Sequence, residues 1–101
     1  MALADARKVF AGLLSHKNSW QAEFRSDMAT KNLLAIGEVS PEQVVEMLES
    51  CKETQYSFYP HLDDPTVTVH DFRPKWEGKR WMVKCYLLSS SAWFISVHPL
   101  K

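Results

Sequence analysis

A chain of 101 residues, 46% of them hydrophobic and 24% charged, has the length and apolar content for a single domain with one core, which excludes a disordered segment. No apolar run approaches the ~18 residues needed to span a bilayer, and Asp5, Arg7 and Lys8 place charge where a secretion signal needs an apolar stretch. A soluble domain of a bacterial cytoplasm is therefore expected. The net charge of zero hides an asymmetry: residues 1–65 carry six Lys/Arg against ten Asp/Glu, and residues 66–101 carry six against two. A basic end could meet phosphates, or the two halves could simply attract each other.

Residues 2–14 read as an amphipathic helix, because Leu3, Ala6, Val9, Phe10, Leu13 and Leu14 fall on one face. Ser15-His16-Lys17-Asn18 breaks it. A second helical stretch is expected over about residues 26–36, with Ser26 or Asp27 as its N-cap and Gly37 just past its end. Ser40-Pro41-Glu42-Gln43 gives the clearest signal. Ser40 can cap, Pro41 suits the first helical position, and Gln43 stands where a capping box requires it. That helix should reach about Cys51, burying Val44, Val45, Leu48 and Cys51. Glu38, Glu42, Glu46, Glu49 and Glu53 should form a solvated opposite face.

After Pro60 the hydrophobic period changes to two. A short edge strand over residues 54–59 can precede a strand over residues 66–72, with its run Thr66-Val67-Thr68-Val69. Pro74 ends that strand, because proline cannot donate to a sheet ladder. Residues 75–79 form a turn, residues 80–88 a strand and residues 92–98 the last strand, joined by Ser89-Ser90-Ser91. Alternation puts Trp81, Val83, Cys85 and Leu87 on one face, and Met82, Lys84, Tyr86 and Leu88 on the other. In the last strand Trp93, Ile95 and Val97 oppose Phe94, Ser96 and His98. The expected fold is α+β: two or three N-terminal helices packed on a C-terminal antiparallel sheet of three to five strands.

Phosphate-loop, dinucleotide, HExxH, CxxC and nucleophile-elbow motifs are all missing. Cys51 and Cys85 sit among apolar neighbours and read as buried thiols. His61-Leu62-Asp63-Asp64 holds metal-ligating residue types, but one HxDD in a proline-flanked loop is not a metal motif. No cofactor is expected. What remains is a constellation of His70, Asp71, Arg73, Lys75, Lys79, Arg80, Lys84 and His98 on adjacent strands or their connections. RNA cleavage without metal needs a base for the 2′-hydroxyl, an acid for the leaving oxygen and cations for the charged phosphorane. His98, His70 and Lys84 could supply the catalytic groups. Arg73, Lys75, Lys79 and Arg80 could hold phosphate, with Trp81 and Tyr86 stacking on bases. Each has a structural alternative. His98 could be the polar end of a strand, His70 with Asp71 could satisfy a turn, and Arg73 could cap the sheet. Trp76, Trp81 and Trp93 could all be core.

The segment His70-Asp71-Phe72-Arg73-Pro74, followed by Gly78, by Lys84 in a strand and by a last strand near the C-terminus, resembles the MqsR family of toxins, within the RelE-like group of bacterial mRNA interferases. The resemblance covers about residues 43–101. It implies a RelE-like fold, metal-independent cleavage of single-stranded mRNA, and a cognate antitoxin protein that blocks the active face. Arg73 and Lys84 match the family pattern. Ser57 stands where the family has a lysine, Val69 where it has a glutamine, and Trp81 or Met82 where it has a tyrosine. His98 replaces a lysine near the C-terminus. Those departures imply that His98, with His70, would take over the acid–base work. Two other readings share the same surface: a non-catalytic interaction module such as a small inhibitor or immunity protein, and an RNA-binding domain that does not cut.

Overall fold

The structure, a computed structural model, describes residues 2–23 and 31–100. Helix α1 (Leu3–Leu14) buries Leu3, Ala6, Phe10 and Leu14, the stripe that its apolar spacing dictates. Strand β1 (Trp20–Ala22) follows, and helix α2 (Pro41–Glu49) packs against α1. A single 3₁₀ turn (Glu53–Gln55) leads into β2 (Tyr56–Pro60), β3 (Thr68–Phe72), β4 (Lys75–Trp76), β5 (Lys79–Leu88) and β6 (Ser91–Pro99). The fold is α+β, as the sequence indicates. The first half of the helical stretch expected over residues 26–36 lies outside the described residues, and in its second half the chain turns rather than coils over residues 33–37.

The sheet differs from expectation in two respects. Among the described residues it has six strands, in the order β1-β6-β5-β3-β2 with β4 paired to the start of β5, and it is mixed. Strand β1 runs parallel to β6, pairing Trp20 with Ala92 and Ala22 with Phe94, so one strand comes from between the helices. Three residues are too few to show a period of two, and only the long-range pairing with β6 defines them as a strand.

The capping box of α2 forms. The Ser40 hydroxyl accepts from the Gln43 amide at 3.1 Å, and the Gln43 side chain accepts from the Ser40 amide at 2.9 Å. Val44, Met47 and Leu48 face inward with Cys51 just past the end, and the five glutamates of the opposite side are exposed. Arg7 donates to the carbonyl of Cys51, tying α1 to the exit of α2. One hydrophobic core joins both helices to a single face of the sheet, through Phe10, Val44, Met47, Leu48, Phe72, Val83, Cys85, Phe94 and Val97.

Two hairpins use two-residue turns whose residues all have positive φ: Glu77 and Gly78 between β4 and β5, and Ser89 and Ser90 between β5 and β6. This is the turn geometry that matches the right-handed twist of paired strands. Between them, β5 and β6 pair Met82 with His98, Lys84 with Ser96, Cys85 with Phe94 and Tyr86 with Trp93. Ile95 has no partner, so it is the extra residue of a β-bulge. The bulge resets the parity of β6. Phe94 and Val97 both join the core, and Trp93 shares the opposite face with His98, contrary to strict alternation.

A buried side chain supports the bulge. Asn32 is 1% exposed, and its amide donates to the carbonyls of Phe94 and Ile95 at 3.0 and 3.3 Å. The Leu33 amide donates to the Val97 carbonyl at 2.8 Å. These bonds occupy backbone acceptors where the bulge disturbs the ladder, and leaving such groups unpaired in a core is costly. Among the described residues no helix is long and apolar enough to cross a membrane.

Candidate functional site

Among the described residues α1 and α2 cover one face of the sheet, and the other face carries the residues suited to chemistry. Strand pairing assigns Lys84, Tyr86, Ser96, His98, Asp71 and Tyr59 to this open face. Arg80 shares the parity of Lys84, and Lys75 is its cross-strand partner. Arg73 joins them because its guanidinium grips Asp71, with Nε to Oδ1 at 3.2 Å and an Nη to Oδ2 at 3.3 Å. The open face thus carries a basic stripe of Lys75, Arg80 and Lys84, with Arg73 beside it. Lys84 and His98 lie one step apart diagonally across β5 and β6, about 7–8 Å for such neighbours.

Asp71 is the buried anchor of this group. It is 2% exposed and is held by Arg73 and by the Tyr59 hydroxyl, which donates to Oδ2 at 3.4 Å. The paired carboxylate holds the Arg73 guanidinium in its charged form. The side chain of Arg73 remains 46% exposed, so the far edge of the fork is free to meet an anion. The Lys84 ammonium lies 5.8 Å from the centre of the Tyr59 ring, a cation–π contact that fixes both side chains over the sheet. His98 bonds through Nδ1 to the carbonyl of Pro99 at 3.0 Å. A carbonyl only accepts, so Nδ1 carries a proton, and in the neutral ring the lone pair falls on Nε2. That is the tautomer a general base requires.

Tyr86 and Trp93 stack on the same face, with ring planes 6° apart and centroids 6.4 Å apart. The Tyr86 hydroxyl donates to Glu23 at 2.6 Å, and the edge of His61 meets its ring at 5.2 Å. Aromatic surface therefore borders the basic stripe, as single-stranded nucleic-acid sites require.

Three of the sequence candidates lie elsewhere. His70 is turned to the helix side, 4% exposed, with its ring 5.0 Å from Phe10 and its Nδ1 2.8 Å from the Tyr56 hydroxyl. Burial pushes its imidazole below the ordinary value, as an apolar pocket does to a base. The physical reason for its placement is the pleat: neighbours in a strand face opposite ways, so Asp71 and His70 cannot share a site. Trp81 likewise faces the core, 7% exposed and edge-on to Trp76, so its ring is not a platform for bases. Lys79 has the parity of Trp81 and is exposed at the end of the hairpin.

The sequence marks residues 61–64 as a proline-flanked loop but gives no hint that it overhangs this face. His61 takes its place there because β2 and β3 close on a fixed turn. The His61 amide donates to Val67 and the Val67 amide to Asp64, both at 2.9 Å. The Asp64 carboxylate accepts from the amide and hydroxyl of Thr66 at 3.1 and 2.6 Å, bonds that hold its carboxyl below the usual range. This overhang closes a depression of about 230 Å³ lined by Tyr59, His61, Asp63, Val69, Lys84 and Ser96, with Ile95 and Leu62 completing it. Among the described residues no three His, Cys, Asp or Glu side chains converge as metal ligands. Cys51 and Cys85 are free and buried, and burial pushes both thiols up, Cys85 furthest, which makes them poor nucleophiles.

No protein-family model matches the chain, and no curated protein matches it.

Proposed function

We propose that this chain is an endoribonuclease that cuts single-stranded mRNA without a metal, as the toxin of a toxin–antitoxin pair. The observation that carries the proposal is the gathering of Arg73, Lys84 and His98 on the sheet face opposite α1 and α2, with His98 bonded through Nδ1 and Arg73 braced by buried Asp71. In this mechanism Nε2 of His98 takes the proton of a 2′-hydroxyl. The freed oxygen attacks the adjacent phosphorus, and the P–O5′ bond breaks to leave a 2′,3′-cyclic phosphate. The guanidinium of Arg73 and the ammonium of Lys84 neutralise the charge that gathers on the phosphorane, and Lys84 returns a proton to the departing 5′-oxygen. Lys75 and Arg80 extend the cationic track, while Tyr86 and Trp93 offer ring faces to exposed bases. The fold is consistent with a RelE-like arrangement in its helix-covered sheet and open basic face, and an antitoxin would act by covering that face.

The test is controlled induction in a bacterial host, with growth and total RNA followed over time. The parent should arrest growth and deplete mRNA, and His98→Ala should do neither. Normal growth with intact RNA from well-expressed parent protein would remove the proposal.

A second reading draws on a different observation. Leu62 is 97% exposed and Phe58 53%, at the end of the sheet where β2 forms the outer edge. Exposed apolar side chains at the edge of a sheet suit a protein partner, either an antitoxin or the target of a non-catalytic interaction module. That module would lose its partner, not any RNA cleavage, on Leu62→Ser with Phe58→Ser.

A further inference from the structure

The depression under the β2–β3 turn has a composition that the basic stripe alone does not explain. Its floor is Val69 and Ile95, 3% and 6% exposed, yet neither belongs to the core shared with the helices. They point to the open face and are sheltered there by Tyr59 and the turn that begins at His61. Ile95 is also the bulged residue, the one that β6 inserts without a partner. Bulges recur beside active sites because they re-aim a side chain, and this one adds an apolar residue to an otherwise polar face.

Polar groups surround that floor. Ser96 is 7% exposed and, among the described residues, its hydroxyl makes no hydrogen bond, although it lines the depression. That hydroxyl is open to the depression and can pair with what enters it. Lys84 and His61 stand at the wall. The Asp63 amide donates to Nδ1 of His61 at 3.1 Å, which leaves the proton on Nε2 and makes His61 a fixed donor. Asp63 supplies a carboxylate that only accepts. The volume, about 230 Å³, is below the ~300–1,000 Å³ of pockets that take a whole drug-sized ligand, and suits one planar ring.

We propose that this depression is a nucleobase subsite, seating one unstacked base of the RNA against Val69 and Ile95 with its edge read by Asp63 and Ser96. The inference rests on the reading that RNA lies along the open face, and it names what that face selects. A carboxylate at the rim accepts from the exocyclic amine of adenine, cytosine or guanine. Uracil lacks that amine: its carbonyl oxygens can meet only the donors Lys84 and His61, and they flank its single N–H and repel the carboxylate of Asp63. The subsite therefore disfavours uracil.

The experiment is fluorescence anisotropy with short labelled oligonucleotides of adenine, cytosine or uracil. They carry 2′-O-methyl groups, so that binding is read without cleavage. The parent should bind the adenine and cytosine oligomers about tenfold more tightly than uracil, the scale of one well-made base contact. Asp63→Asn, at an exposed loop position where the fold is not at risk, should bring the three within about twofold, because an amide donates as well as accepts. Equal binding of all three by the parent, or an unchanged preference in Asp63→Asn, would overturn the subsite and leave the RNA-binding face standing. No binding of any oligomer by folded parent would overturn that face and the subsite with it.

Discussion

Single side chains divide here between those that hold the fold and those that face outward, and the two kinds answer to different measurements. His70 belongs to the first kind. Its ring is wedged between Phe10 and Tyr56, so the native state keeps it neutral and its proton affinity is below the ordinary 6.5. The unfolded chain binds that proton more readily, so the stabilisation is complete above about pH 6.5 and is lost as pH falls below it. Thermal unfolding should therefore show a midpoint that drops between about pH 7 and pH 5, and His70→Gln, which cannot charge, should drop less. Equal slopes in the two proteins would show that His70 is not the group responsible. Asn32 is a second case. Replacing it with Ala strips the Phe94 and Ile95 carbonyls of a donor inside the core and should cost about 1–3 kcal/mol in chemical denaturation. His98 is of the second kind: His98→Ala should leave stability nearly unchanged and lower RNA cleavage by about 10²–10⁴-fold, the usual weight of a positioned base.

Local elements explain why some of this was legible beforehand. The α2 capping box is specified by four consecutive residues, so sequence suffices for it. Ser40→Ala should cost about 0.5–2 kcal/mol. The β5–β6 hairpin is also readable, because its alternation is long: parity puts Lys84 and Tyr86 on one side of β5, and the register of the hairpin adds His98. Parity misplaces Trp93 and Ile95, because the bulge at Ile95 shows only in the pairing with β5, and Asn32, which bonds to it, lies far from β6 in the chain. The turns record a local conflict. Ser89 and Ser90 both occupy the left-handed region, at φ 50° and 71°, where a side chain costs roughly 1–2 kcal/mol. Ser90→Gly should release part of that, offset by the backbone freedom glycine gives the unfolded chain, and so raise the unfolding midpoint. A lowered midpoint would mean that the serine side chains make compensating contacts.

At the scale of the whole molecule, one covered and one open sheet face decide what the chain can do. The split of charge seen along the sequence becomes spatial: the glutamates of α2 are exposed on the helical layer, and Lys75, Arg80, Lys84 and Arg73 are on the opposite face. Composition shows the charge of each half, but only the pairing of β3, β5 and β6 brings Arg73, Lys84 and His98 together. The same pairing removes His70 and Trp81 from the group, since a one-residue change of position in a strand reverses the face. The loop from His61 to Val67 was illegible for a different reason. Its role depends on where β2 and β3 end, which no residue pattern within it fixes. If the open face tracks a phosphate backbone, RNA affinity should fall with salt by about 0.7 logarithmic units per phosphate neutralised for each tenfold rise in salt. Lys84→Ala and Arg73→Ala should each flatten that slope, and Lys52→Ala, outside the stripe, should not.

The most direct measurement of the central claim is cleavage of a short single-stranded RNA by the purified chain, with EDTA present and the product ends analysed. Products ending in 2′,3′-cyclic phosphate from the parent, abolished by His98→Ala and strongly reduced by Lys84→Ala, are the predicted result. Intact RNA with folded parent, or cleavage that persists undiminished in both variants, would contradict an active site on the open face of this sheet.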